Sequence, residues 1–181
     1  MRIERLKLDG THKIVLDPKV DSRGHFVRTY DRKIFEDHYL STDWEQESSS
    51  YNDAANTILG LHFQIPPQAE TKIVRVSRGA VLDVFVDLRK ASVTYRHWDS
   101  ITLSAENNTS VYIPQGFAHG FRTLVDDTVV EYKINAGFRP ELTAGIRWND
   151  ETLGIDWGVD HPIISERDAE LPVFELFHSP F

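Results

Sequence analysis

The sequence predicts an all-β chain, folded as a β-barrel or jelly roll with short peripheral helices. Three features carry that expectation. Roughly ten short, mostly apolar runs follow one another at close spacing, as in small barrels and sandwiches. Only one stretch of the N-terminal half has helical periodicity. Within Ile58–Gln64, His62 and Gln64 share one strand face while Leu61 and Phe63 share the other, which suits a wall between a wet interior and an apolar layer.

Taken in order, Ile3, Leu6 and Leu8, then Ile14 and Leu16, suggest two short strands on either side of Gly10. A polar turn at Asp21–Gly24 leads into a strand through Phe26, Val27 and Tyr30. Arg32–Leu40 carries Phe35 and Tyr39 four apart and reads as a helix. Residues 41–56 read as loop or polar strand. Next come Ile58–Gln64 and two β-branched runs that flank Gly79, which predict a hairpin. Strands at Tyr95–Leu103 and Thr109–Ile113 are split by a turn at Glu106–Asn108. A further pair, Gly120–Val125 and Thr128–Ile134, meets across Asp126 and Asp127. Beyond Gly137 only helical turns are expected, at Glu151–Leu153 and Glu166–Ala169.

Composition narrows the function classes. A chain of 181 residues suits one folding unit spanning 1–181. A net charge of −8 gives no general electrostatic case for nucleic acid or an anionic membrane surface. The absence of cysteine excludes a disulfide scaffold, a thiolate nucleophile and Cys-ligated metal. The start MRIERLKLDG is too charged for a signal peptide and no apolar run is long enough to span a bilayer, so a cytoplasmic location is expected.

Pro114-Gln115-Gly116-Phe117-Ala118-His119 has the P-x-G-x-x-H spacing of the second motif of cupins, small jelly-roll barrels in which that histidine points inward. Alone it is a modest signal. It occurs, however, with Asp21-Ser22-Arg23-Gly24, Gly60-Leu61-His62-Phe63-Gln64, the run from Lys72 to Arg89, Tyr132-Lys133, Gly154-Ile155-Asp156-Trp157 and Ser165-Glu166-Arg167-Asp168, in that order. On these landmarks the chain resembles the dTDP-4-dehydrorhamnose 3,5-epimerase family over roughly residues 2–175.

The chemistry implied by that resemblance is inversion of carbons flanking the ketone of a nucleotide-linked 4-keto-6-deoxyhexose. Such a site needs a base near neutrality, a positive or hydrogen-bonding group at the developing enolate oxygen, and an acid on the opposite face. His62 suits the base. The resemblance makes Asp168 its orienting partner, Lys72 the enolate stabiliser, Tyr132 the opposite-face acid and His119 a residue that shapes the pocket. It also implies substrate contacts from Gln64, Phe121 and Arg167, and a homodimer with exchanged N-terminal strands whose Arg23 and Phe26 reach the neighbouring pocket. No cofactor is implied. A metal-binding cupin would carry a second histidine where this chain has Gln64, an amide being a poor ligand for zinc, iron or nickel, and Glu70, after a Pro-Pro turn, reads as solvated.

Several positions depart from the family pattern. Leu59 stands where close epimerases have a diphosphate-binding arginine, Arg28 where they have a glutamate, Glu47 and Ser49 where a glutamine and an asparagine are expected, and Phe138 where a tyrosine packs near the base. These fall on nucleotide and sugar contacts. Arg28 is the natural substitute for the missing arginine, and the combination predicts an altered nucleotide site with weakened affinity for thymidine diphosphate. Two other readings stay open: a sugar-nucleotide ketoisomerase of the same fold, which depends less on an acid opposite His62, and a cupin that binds a sugar or nucleotide without turnover.

Overall fold

The computed structural model describes residues 1–181 and contains thirteen strands. One antiparallel sheet has the order β1 (Arg2–Arg5), β2 (His12–Val15), β10 (Thr109–Ile113), β7 (Lys72–Arg78), β12 (Thr128–Ile134), β5 (Gln46–Asn52). A second has the order β13 (Thr143–Gly145), β6 (Ile58–Gln64), β11 (Phe117–Thr123), β8 (Ala80–Asp87), β9 (Trp98–Ser104). β3 (Lys19–Asp21) and β4 (Gly24–Phe26) form a separate, fully exposed ribbon. The helices are short: α1 (Arg32–Asp37) and α2 (Glu166–Ala169), none long and apolar enough to cross a membrane. The all-β expectation thus holds. The closed barrel does not form, because no ladder joins the edges of the two large sheets.

The main inner core is built from both sheets at once. Val74, Val76, Val111 and Val130 of the six-stranded sheet meet Val81, Phe85, Leu103 and Phe121 of the five-stranded one, so the sheets lie face to face. Each outer face is also covered. Phe35 of α1 seals Ile14, Ile73 and Tyr112 on the six-stranded side, with Tyr30 and Trp44 packed around it. On the five-stranded side Ile146, Leu153, Trp157 and Phe174 of the C-terminal segment cover Val84, Val86 and Ala118. That segment has little regular structure, and Asp150 ties it down by accepting from the backbone N–H groups of Leu153 and Phe174.

Two expected hairpins are corrected. β7 and β8 flank Gly79 but belong to different sheets, and so do β11 and β12 on either side of Asp126 and Asp127. Both edges of β7 are already taken, by β10 and β12, so β8, buried along most of its length, pairs instead with β11 and β9 in the other sheet. The chain therefore crosses the core at Gly79, whose φ of +77° suits glycine. Smaller corrections concern boundaries. The strand expected through Tyr30 ends at Phe26, since Val27 and Tyr30 turn into the packing under α1. The one expected from Tyr95 starts at Trp98, because Asp87 accepts from Ser92 and Thr94 and folds that stretch into a loop. The strand placed at Gly120–Val125 runs over Phe117–Thr123, and Glu151–Leu153 is a turn without a helix.

Candidate active site

The space between the sheets changes character along its length, apolar at one end and polar where β6 and β11 face β7 and β12. Two adjoining cavities of about 230 and 160 Å³ share His62 and Lys72. Lys72, Tyr132 and Ile134 come from the six-stranded sheet and His62, His119 and Phe121 from the other, so the two sets oppose one another across the larger cavity.

The position of His62 depends on an irregularity in β6. The register between β6 and β11 shifts at Gly60, between the pairs His119–His62 and Phe121–Leu59. Gly60 has φ +117°, and a Cβ there would lie 2.7 Å from the Gly120 Cα and 2.8 Å from the His119 carbonyl oxygen, so only glycine fits. At this bulge the Gly60 N–H donates to Asp168 Oδ2 at 3.0 Å, while Asp168 Oδ1 accepts from His62 Nε2 at 2.7 Å. Asp168 itself sits in α2, where Ser165 caps the helix through the Asp168 backbone N–H. Burial pushes the Asp168 carboxyl up, but the hydrogen bonds from His62 and Gly60 outweigh it and hold the group below its ordinary value. An ionised acceptor at Nε2 fixes the proton there and leaves Nδ1 as the basic nitrogen.

A second carboxylate–histidine pair lies deeper. His119 Nε2 contacts Asp83 Oδ2 at 2.9 Å, and Asp83 is fully buried with Oδ1 unpartnered. Burial drives the Asp83 carboxyl up despite the pull of His119. The Tyr132 ring stands edge-on to His119, centroids 6.3 Å apart. Burial first, then the charge of Asp83, push the Tyr132 phenol well above its ordinary value, so it remains a proton donor.

Gln64, expected as a substrate contact, is committed to the backbone. Its amide N–H groups donate to the carbonyls of Gln68 and Gly137, and its oxygen accepts from the Arg139 N–H at 2.6 Å. It thereby holds together the two loops at the cavity mouth, one of which carries Phe138, 57% exposed above the opening. Arg167 lines the same cavity. Glu70 is not solvated: its side chain is 10% exposed and lies 3.0 Å from Lys72 Nζ. Metal ligation gains no support from this set, since Gln64 is turned to the backbone and Glu70 to an ammonium.

Other expected residues lie elsewhere. Glu47 and Ser49 pair with Lys133 and Glu131, whereas the intervening Ser48 pairs with Tyr132. By strand alternation Glu47 and Ser49 thus face outward, away from His62. Arg28 is on that outer side too, lining a groove with Glu47, Ser49 and Arg75, and its guanidinium is bound to Asp31 at 2.7 Å and 64% exposed. Arg28 therefore does not replace an arginine at position 59 within one subunit. Leu59 faces the inner cavity beside His119 and Phe121. Arg23 and Phe26 stand on the exposed ribbon, Arg23 bound to its neighbour Asp21 and Phe26 69% exposed. The sequence reading missed Asp83 and the role of Glu70. An aspartate on the inward phase of the apolar run Val81–Val86 was the available cue for the first.

Comparison with known proteins agrees with this geometry. The profile of the dTDP-4-dehydrorhamnose 3,5-epimerase family matches residues 5–175. An enzyme of that name from Methanothermobacter thermautotrophicus is 42% identical over 172 residues, 92% of this chain and 91% of its own length. The Bacillus anthracis enzyme of that name, solved with TDP and PPi bound, superposes with TM-score 0.93 at 39% identity, covering 96% of this chain and 99% of that one. A dTDP-6-deoxy-D-glucose-3,5-epimerase from Legionella pneumophila, in complex with dTDP-4-keto-L-rhamnose, gives 0.92 at 32% identity, covering 98% and 94%.

Proposed function

The chain belongs to the dTDP-4-dehydrorhamnose 3,5-epimerase family, and from that premise we propose how its own residues carry out the reaction. It is a cofactor-independent sugar-nucleotide epimerase acting on a dTDP-linked 4-keto-6-deoxy sugar, an activity of deoxysugar and polysaccharide biosynthesis. The observation that carries the residue assignment is the His62–Asp168 pair facing Tyr132 across one cavity. His62 Nδ1 takes the proton from a carbon next to the ketone. The Lys72 ammonium stabilises the enolate oxygen, and the Tyr132 hydroxyl returns a proton to the opposite face of the same carbon. An enolate carbon is a far stronger base than a phenolate, so the transfer is favourable even from a buried phenol. Exchange with solvent then removes the proton from His62 and restores the one lost by Tyr132.

Turnover in deuterated water, followed by mass spectrometry and proton NMR, tests this assignment. Deuterium is expected at the carbons flanking the ketone, and His62→Ala should lower its uptake by about 10²–10⁴-fold. Tyr132→Phe should spare uptake more than net inversion, because an enolate can be reprotonated from the face it lost its proton from. Wild-type uptake in His62→Ala would exclude the base assignment. A ketoisomerase would move the carbonyl and release product of a different connectivity in the same spectra.

The finer architecture belongs to the same proposal. The two facing sheets are read as a cupin-type jelly roll forming one domain over 1–181, in a cytoplasmic enzyme. The detached ribbon, with Val20 and Phe26 largely exposed, supports a homodimer in which it crosses to the neighbour and brings Arg23 and Phe26 to that pocket. Light scattering should give a dimer at micromolar concentration, and a monomer of 20.8 kDa would refute it.

A further inference from the structure

Glu70 is a charged group inside the active-site cavity to which the mechanism above assigns no task. It lines the smaller cavity with His62, Lys72, Phe138 and Arg167. Its carboxylate lies 3.0 Å from the Lys72 ammonium, and the two side chains are 10% and 13% exposed. The backbone between them is fixed: the Thr71 N–H donates to Asn135 Oδ1 at 2.6 Å, and the Asn135 N–H to the Thr71 carbonyl at 3.2 Å. Gln64 anchors the preceding turn through the Gln68 carbonyl. The carboxylate is thus held by a rigid segment beside an ammonium on a flexible four-carbon stem.

We propose that Glu70 is a positioning residue for the reaction, holding the Lys72 ammonium where the enolate oxygen develops. The inference rests on the reading of Lys72 as the enolate's partner. A lysine stem has many rotamers, and an ammonium stabilises a transition state only to the extent that it is placed beforehand. A nearly buried carboxylate at contact distance restricts that freedom. It also keeps the ammonium compensated in the empty cavity, where an unpaired charge would be costly.

The test is a double-mutant cycle of Glu70→Gln and Lys72→Met, reading kcat, KM and deuterium uptake. Glu70→Gln keeps the shape and removes the charge, and is expected to lower kcat about tenfold while KM stays within about threefold. In the Lys72→Met background the same change should cost nothing further, because Glu70 acts only through the ammonium. Glu70→Asp, which draws the carboxylate back by one methylene, should fall between wild type and Glu70→Gln and serves if the glutamine variant does not fold. Wild-type kcat in both Glu70 variants would overturn the proposal, and so would an undiminished loss in the Lys72→Met background. Wild-type kcat in Lys72→Met would instead remove the role of Lys72 and with it the ground for a positioning partner.

Discussion

Replacing Asp168 by Asn keeps the shape and exchanges one carboxylate oxygen for an NH₂, yet the surrounding hydrogen bonds make it a severe substitution. The Gly60 N–H, 3.0 Å from Oδ2, demands an acceptor. The Asn carbonyl oxygen must therefore take that side, and its NH₂ turns toward His62 Nε2. That nitrogen then has to accept, so the proton moves to Nδ1 and the nitrogen facing substrate is no longer basic. The lost charge-assisted bond of 2.7 Å is worth about 1.5–3 kcal/mol, or roughly 10- to 150-fold in rate, before any tautomer effect. With the wrong tautomer added, deuterium uptake should fall by about 10²–10⁴-fold. Asp168→Asn should be at least as slow as Asp168→Ala, which leaves the tautomer free, although Asn is the closer fit in shape. The assay is initial-rate deuterium incorporation at saturating substrate for wild type and both variants. An Asn variant within threefold of wild type, or clearly faster than the Ala variant, would refute the reasoning.

Three further outcomes follow from the same geometry. Gly60→Ala drives a Cβ against Gly120 and the His119 carbonyl, and should cost on the order of 3 kcal/mol in chemical denaturation while depressing deuterium uptake through the displaced Asp168. Gln64→Leu strands the Arg139 N–H and two carbonyls, each worth about 1–3 kcal/mol when buried; calorimetry should show a lower Tm, and kinetics a larger change in KM than in kcat as the mouth loops loosen. Asp83 has a folded-state pKa raised above its unfolded one, so the unfolded chain releases its proton first and stability is lost as pH rises from the ordinary carboxylate value through the raised one. Asp83→Asn lacks that component, so thermal melts from pH 4 to 8 should show a smaller fall with rising pH than wild type, and a parallel pair of curves would refute the assignment.

Much of the fold was legible because strand phase survives tertiary context. Val74 and Val76 in β7, and Val81 and Phe85 in β8, alternate as an inner face should, and they do meet in the inner core. What phase does not encode is the partner. A glycine between two apolar runs is equally compatible with a hairpin and with a crossing between sheets, and at Gly79 the chain crosses because β10 and β12, distant in sequence, take both edges of β7. The residues proposed for proton transfer stand out in the sequence through ordered motifs, and His62, Lys72, His119 and Tyr132 line one cavity. The orientation of Glu47 and Ser49 was not legible, because both were placed by position in the chain, whereas the pairing of Ser48 with Tyr132 turns them away from the His62 cavity.

Leu59 shows where strict alternation fails and why that failure is useful. Counting by twos from Leu61 and Phe63 would send Leu59 to the outer layer, yet it lines the inner cavity three residues before His62. The bulge at Gly60 reverses the phase, and its sequence cue is a pair of glycines, Gly60 and Gly120, whose Cβ positions would collide across neighbouring strands. The same distortion takes the Gly60 N–H to Asp168, whose other oxygen holds His62. Position 59 is thus brought into the site by the device that orients His62, while Leu59 itself has no part in the hydrogen bonds of the dyad. A leucine there changes the cavity wall without touching the His62–Asp168 hydrogen bond, which is why a departure from the family pattern at position 59 coexists with an undisturbed pair.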